Sequence, residues 1–212
     1  MGYFQNAYDL YLPIYSLAVA GLPVAVSRLV AESVAQERFR DTRTILRVAR
    51  KAFLCTGLVG FILMLLISYP YLLIVGVETK GLPGILVIAP SILFCCVMST
   101  YRGYYEGLRN MTPTAVSQII EALGKLILGL GLAFLARRLG LPIEYQSAAA
   151  ILGITLGTLF GAIYLSLRFR LVGDGIRPRA LQAPQPVKSP HTMLKMLIVF
   201  AIPVVIGSLA NQ

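Results

Sequence analysis

Long charge-free stretches dominate this chain and limit what it can fold into. Leu10 to Ser27 runs 18 residues without a charged side chain, Ala52 to Val77 runs 26, Gly81 to Tyr101 runs 21 and Tyr145 to Leu167 runs 23. A bilayer core about 30 Å thick needs roughly 20 residues of α-helix, so each stretch is a candidate span. A fifth runs from Thr114 to Leu135, interrupted only by Glu121 and Lys125, and a sixth from Met196 to Gln212. Barrel strands would be about 10 residues long with strict alternation, which these stretches lack. The pattern predicts an all-α polytopic membrane protein with six transmembrane helices. Composition agrees: of 212 residues, 57% are apolar and 13% charged, against about 25% charged in a soluble domain. A disordered chain is excluded, and three cysteines are too few for a disulfide-stapled secreted module.

The net charge is +10. In a soluble protein that balance would point to nucleic acid. Here the basic residues fall between the apolar runs, so they read as a topology signal and an attraction to anionic membrane lipids, with no nucleic-acid partner. Six lie between Gln36 and Lys51, two between Arg102 and Arg109, and six between Arg168 and Lys195. Alternation along six helices puts these fourteen on one side, against Lys80, Arg137 and Arg138 on the other. The basic side is expected to be cytoplasmic, in a multi-pass membrane protein. Met1 then falls outside, which leads us to expect a further span upstream. Tyr69, Tyr71 and Tyr145 fall at outer ends and Tyr101, Tyr104, Tyr105 and Tyr164 at inner ends, as amphipathic rings do at head-group level.

Val172–Pro190 is the one linker, basic and rich in proline and glycine, and cannot be helical throughout. It divides the chain into residues 1–171, with five helices of a first bundle, and 191–212, the first helix of a second bundle. We therefore expect the sequence to be the amino-terminal part of a longer transporter.

Enzyme signals are poor. The single histidine, His191, has no evident partner for acid–base work. Asp9, Asp41 and Asp174 lie far apart, and there is no paired-carboxylate motif, Cys/His metal spacing or Gly-rich phosphate loop. No catalytic residue, metal or cofactor is expected. Cys55, Cys95 and Cys96 fall inside spans and read as small apolar packing residues. The sequon Asn110-Met111-Thr112 lies on the inner side and is followed by Pro113, so it is set aside.

Charges inside the membrane carry more information, because each costs several kcal/mol unless paired or wet. Glu121 and Lys125 are four apart near the middle of a span, so their side chains can meet. They are either a self-neutralising pair or a pair facing a hydrated cavity that takes an anionic substrate. Arg28 and Glu32 repeat the spacing near the inner end of the first span, as do Arg102 and Glu106 at the third. Tyr8, Tyr11 and Tyr15 share one face beside Asp9, either a polar outer vestibule or a belt. Gly153, Gly157 and Gly161 form a ridge on which another backbone can pack closely. Pro13, Gly21 and Pro23 are expected to hinge the first span, and Pro203 the last. Such irregular backbone in mid-membrane is tolerated only against protein or a water-filled cavity.

The run from Tyr3 to Tyr11 (YFQNAYDLY), followed by Gly21 to Glu32 (GLPVAVSRLVAE), resembles the second helix of the polysaccharide-transporter branch of the MATE-like (MOP) flippase superfamily. The similar group is the stage V sporulation protein B / MurJ-like one of Gram-positive bacteria. The run from Tyr101 to Glu121 (YRGYYEGLRNMTPTAVSQIIE), followed by Lys125, looks like that family's link from helix four to helix five. The resemblance covers helices two to seven of a fold that usually has twelve to fourteen. It implies two bundles around a central cavity, and alternating access that carries lipid-linked oligosaccharide or peptidoglycan precursors outward. The partner it implies is a polyprenyl-pyrophosphate-linked precursor, with the remainder of the transporter or a second copy completing the cavity. In the MurJ type, arginines of helices one, two and eight hold the pyrophosphate. Ile14 and Tyr15 occupy the helix-two level here, so Lys125, Arg28 and Arg102 are the cationic candidates. A cation-coupled drug exporter of the MATE type is the alternative, although it would want buried carboxylates rather than lysine. A non-transporting scaffold or truncated remnant is another. A membrane phosphatase or glycosyltransferase would need acid clusters that the sequence lacks.

Overall fold

The computed structural model describes residues 3–19, 21–76, 78–176 and 189–209. Among them the chain is helical: α1 (Tyr3–Val19), α2 (Leu22–Ala35), α3 (Phe39–Val75), α4 (Leu82–Gly107), α5 (Thr112–Arg138), α6 (Ile143–Leu171) and α7 (Pro190–Leu209), with a 3-10 turn at Glu78–Gly81. Pro23, Pro83 and Pro113 stand in the first turns of α2, α4 and α5. There the missing N–H has no helical partner to lose, and the fixed φ suits the helix start.

Four helices, α3 to α6, are each long and apolar enough to cross a membrane. The first expected span is built instead from α1 and α2, with the break between Val19 and Leu22. Of the expected hinge residues, Gly21 and Pro23 sit at that break, while α1 runs on through Pro13. α7 continues past Pro203, whose side chain lies outside the described residues. At 37 residues, α3 is about 55 Å long, so its arginine-rich first turns extend beyond a 30 Å hydrocarbon core.

α4 is the hub, packed by α1, α2, α3 and α6. Its buried positions include Gly84, Ala89, Ser91, Cys95, Cys96, Ser99, Gly103 and Gly107. In hydrocarbon, helices associate by close van der Waals contact, which small residues permit. Gly103 and Gly107 show how close: a Cβ on Gly107 would stand 2.7 Å from the Ser27 carbonyl and 2.6 Å from Val30 Cβ, and one on Gly103 would overlap the Pro23 backbone. The RGYYEG run is therefore also the seat for α2. Thr155 Oγ1 of α6 donates to the Val87 carbonyl of α4 at 2.6 Å. Cys95 and Cys96 are buried packing residues as expected, whereas Cys55 is exposed on α3.

The stretch between α6 and α7 is described at 172–176 and 189; the expected linker falls otherwise on 177–188, outside the described residues. Its start is clamped. Arg43 of α3 donates from Nε and an Nη to the Asp174 carboxylate at 2.9 and 3.2 Å. The Tyr104 hydroxyl donates to it at 3.0 Å and the Ile176 amide at 3.2 Å. Burial alone would push the Asp174 carboxyl up, but the bonds from Arg43, the Ile176 amide and Tyr104 hold it below the ordinary carboxylate range. A carboxyl depressed on folding stabilises above its unfolded pKa, about 3.9, and that contribution fades as pH falls through the folded value. Asp174→Asn is thus expected to lower the thermal midpoint at pH 7. The gap to the parent protein should close as pH falls below about 4. A gap that is constant with pH would show that the clamp's charge contributes nothing.

Candidate functional site

A cavity of about 460 Å³ opens beside the α1–α2 break. α1 contributes Leu12, Tyr15, Ser16 and Val19, α2 contributes Pro23, α4 contributes Ser99, Arg102 and Glu106, and α5 contributes Gln118. The irregular backbone therefore borders a polar cavity, one of the two surroundings in which it is tolerated at membrane depth.

Arg102 is the cation on the cavity wall. Its Nε donates to Ser117 Oγ at 2.9 Å and an Nη to Glu121 at 2.8 Å. Lys125 Nζ donates to the other oxygen of Glu121 at 2.6 Å. Two cations thus share one carboxylate, and the triad carries a net positive charge. Ser117, Glu121 and Lys125 repeat at four residues, which puts them on one face of α5. Glu121 lies nine residues, about 14 Å, into α5 from its start at Thr112. Its side chain is 13% exposed and that of Arg102 16%, whereas that of Lys125 is 39% exposed. Lys125 is the more exposed of the two cations.

The glycine ridge stands behind this triad. A Cβ on Gly157 would lie 2.8 Å from both the Glu121 carbonyl and the Lys125 amide, and one on Gly161 would lie 2.8 Å from Met98 Sδ. A Cβ on Gly153 would overlap the Gly129 backbone, and one on Gly124 would lie 2.8 Å from Gly157 Cα. α6 therefore presses directly on the turn of α5 that carries the charges.

The structure unites Arg102, Glu121 and Lys125, three of the five cavity candidates. It also re-pairs Arg102, which the spacing had matched with Glu106: the guanidinium turns across to α5, while Glu106 lines the same cavity. Arg28 lies elsewhere, with its guanidinium 4.3 Å from the centre of the Phe200 ring of α7. Glu32 is exposed one turn further along α2. Phe4, Tyr8, Tyr11 and Tyr15 form a ladder of rings spaced 5.2 to 5.8 Å. Tyr11 is buried in the core and Tyr15 lines the cavity. Asp9 accepts from Gln5 at 2.8 Å on an exposed face. His191 is exposed in the first turn of α7. Sequence reasoning missed Ser117, although its spacing from Glu121 was a usable signal. It also missed the Arg43–Asp174 clamp, whose partners are 131 residues apart.

These features define a polytopic α-helical membrane protein with a charged polar cavity beside a broken helix. The family model for polysaccharide biosynthesis proteins matches residues 1–212, and the chain belongs to that family. The chain is 30% identical to the stage V sporulation protein B of Bacillus subtilis (strain 168), over 92% of its own length and 37% of that protein's. It is 28% identical to the lipid II flippase MurJ of the same organism, over 78% of its own length and 33% of that protein's. A third relative there, the uncharacterized membrane protein YabM, is 25% identical over 97% of the chain and 37% of that protein. The chain thus spans about a third of the length of these curated relatives. No solved structure matches.

Proposed function

We propose that the chain forms part of a membrane flippase that moves polyprenyl-pyrophosphate-linked saccharide or peptidoglycan precursors by alternating access. The observation that carries this reading is the Arg102–Glu121–Lys125 triad, in which two cations share one carboxylate and Arg102 stands on the wall of a polar cavity. A pyrophosphate entering that cavity competes with Glu121 for both cations. Arg102 offers a planar fork and Lys125 a mobile point charge. When the anion leaves, Glu121 takes the cations back, so neither is left bare in a low dielectric. The family membership and the MurJ relative support the same reading. In this proposal the basic end of the bundle faces the cytoplasm, residues 1–171 belong to a first bundle and α7 opens a second. The cavity is completed by the rest of a longer transporter or by a second copy. The activity is transport rather than catalysis.

The test is translocation of the lipid-linked precursor in proteoliposomes carrying the full-length protein. Removing both cations (Arg102→Gln with Lys125→Gln) is expected to reduce turnover at least tenfold, the scale of losing about 1.4 kcal/mol of interaction. Undiminished turnover would reject the proposal.

Glu106 favours a second reading in one respect. It is a carboxylate on the cavity wall, and a cation-coupled exporter of the MATE type needs one. Overexpression that raises resistance to cationic drugs, and loses that effect with Glu106→Gln, would move the assignment there.

A further inference from the structure

We propose that the basic end of the bundle holds an anionic phospholipid, its phosphate among Arg47, Arg50 and Arg170 and an acyl chain along the groove between α3 and α7. A cavity of about 500 Å³ lies between the first turns of α3 and the end of α6, walled by Leu46 and Phe169 and ringed by Arg43, Arg47, Arg50 and Arg170. Asp174 is the carboxylate on its wall, and it is already bound by Arg43 through two hydrogen bonds. Arg47, Arg50 and Arg170 form no ion pair among the described residues. Residues 177–188 contribute Arg177, Arg179 and Lys188 and no acid, so that segment supplies no counter-charge wherever it runs. Three guanidiniums around one opening, with the nearest acid already engaged, want an anion. Phosphate fits the guanidinium fork.

Depth and shape make that anion a lipid. Arg50 and Lys51 immediately precede the charge-free run from Ala52 to Val77, so this part of α3 crosses the head-group layer, where lipid phosphates lie. A second cavity, of about 550 Å³, begins at Arg47, which it shares with the first. It passes Lys51 and His191 at its rim and continues along Val48, Ala52, Cys55 and Leu194. A basic pocket running into an apolar groove at the membrane surface matches a phosphate joined to an acyl chain, and a free anion would leave the groove unused. This site is apart from the Arg102 cavity and does not depend on what that cavity transports.

The full-length protein in detergent, titrated with phosphatidylglycerol or phosphatidylcholine and weighed by native mass spectrometry, tests the proposal. Phosphatidylglycerol should be retained at least tenfold more tightly. Each arginine near the membrane surface adds about fivefold in affinity, so Arg47→Gln, Arg50→Gln and Arg170→Gln together should lower it on the order of 100-fold. Arg137→Gln with Arg138→Gln, at the opposite end, should leave it unchanged. Cys55 gives a readout that needs no variant: its alkylation, mapped to its own peptide, should slow with phosphatidylglycerol and not with millimolar inorganic phosphate. Equal retention of the two lipids, full retention by the triple variant, or protection of Cys55 by inorganic phosphate would overturn the proposal. Displacement by polyprenyl pyrophosphate at lower concentration than phosphatidylglycerol would overturn it too, marking the groove as an entry for cargo.

Discussion

Glu121→Gln should destabilise the protein and, on the flippase function proposed above, tighten its hold on an anionic precursor at once. The substitution keeps the shape of the side chain and removes the charge that two cations share. Arg102 keeps its bond to Ser117, but it and Lys125 lose the carboxylate between them. Breaking a buried pair by removing one partner costs about 3–5 kcal/mol. Lys125 is 39% exposed and can swing away, so we expect about 3 kcal/mol, at the lower end of that range. Thermal unfolding of the full-length protein in detergent measures it. Lys125→Met in the same background should restore at least about 1 kcal/mol, because the two positions are directly coupled. Precursor should bind more tightly, since nothing competes for the cations, and translocation should slow at least tenfold, since release loses its exchange partner. Weaker binding, or unchanged turnover, would mean that Glu121 does not exchange with cargo.

The spans were legible because hydrocarbon imposes a long uninterrupted pattern on sequence. The stretches at 52–77, 81–101, 114–135 and 145–167 became α3 to α6 with only their ends moved. The first span was readable as a hinge, since Gly21-Leu22-Pro23 announces a break, yet its splitting into two helices shows only in the structure. Within one helix, spacing worked: Glu121 and Lys125 do meet. Across helices it failed, because nothing local says that Arg102 prefers Glu121, 19 residues on, to Glu106 at four. That choice is made by the α4–α5 turn and by Ser117, one turn before Glu121 on the same face of α5, which holds the guanidinium at Nε. The Arg43–Asp174 clamp was out of reach for the same reason, as were the partners of the glycine ridge.

Those partners lead to the second large effect. Gly157→Leu should uncouple α5 from α6 and disable the charged site, although no charged residue is changed. The Glu121 carbonyl and Lys125 amide would stand 2.8 Å from the first carbon of any side chain there. Backbone cannot turn aside as a side-chain tip can, so the helix must move. Overpacking of this kind costs about 1–3 kcal/mol for small insertions, which is what Gly157→Ala should show, and leucine should exceed it. In a bilayer no hydrophobic effect pulls the two helices back together, because lipid tails are as apolar as leucine. The displaced turn carries Glu121, so the Arg102–Glu121 bond should lengthen with it. A structure of the variant reports the separation: the gap between Gly129 and the Ala150 carbonyl, close in the parent protein, should widen with Gly157→Leu. Gly131 is the control. It lies on α5, the facing helix, with nothing within 4 Å of an added Cβ, so Gly131→Ala should be neutral or gain up to about 1 kcal/mol in helix propensity. If Gly157→Leu left both that gap and precursor translocation unchanged, the ridge would be packing without consequence for the site. If translocation alone were lost, α6 would be acting on the triad through the turn it supports.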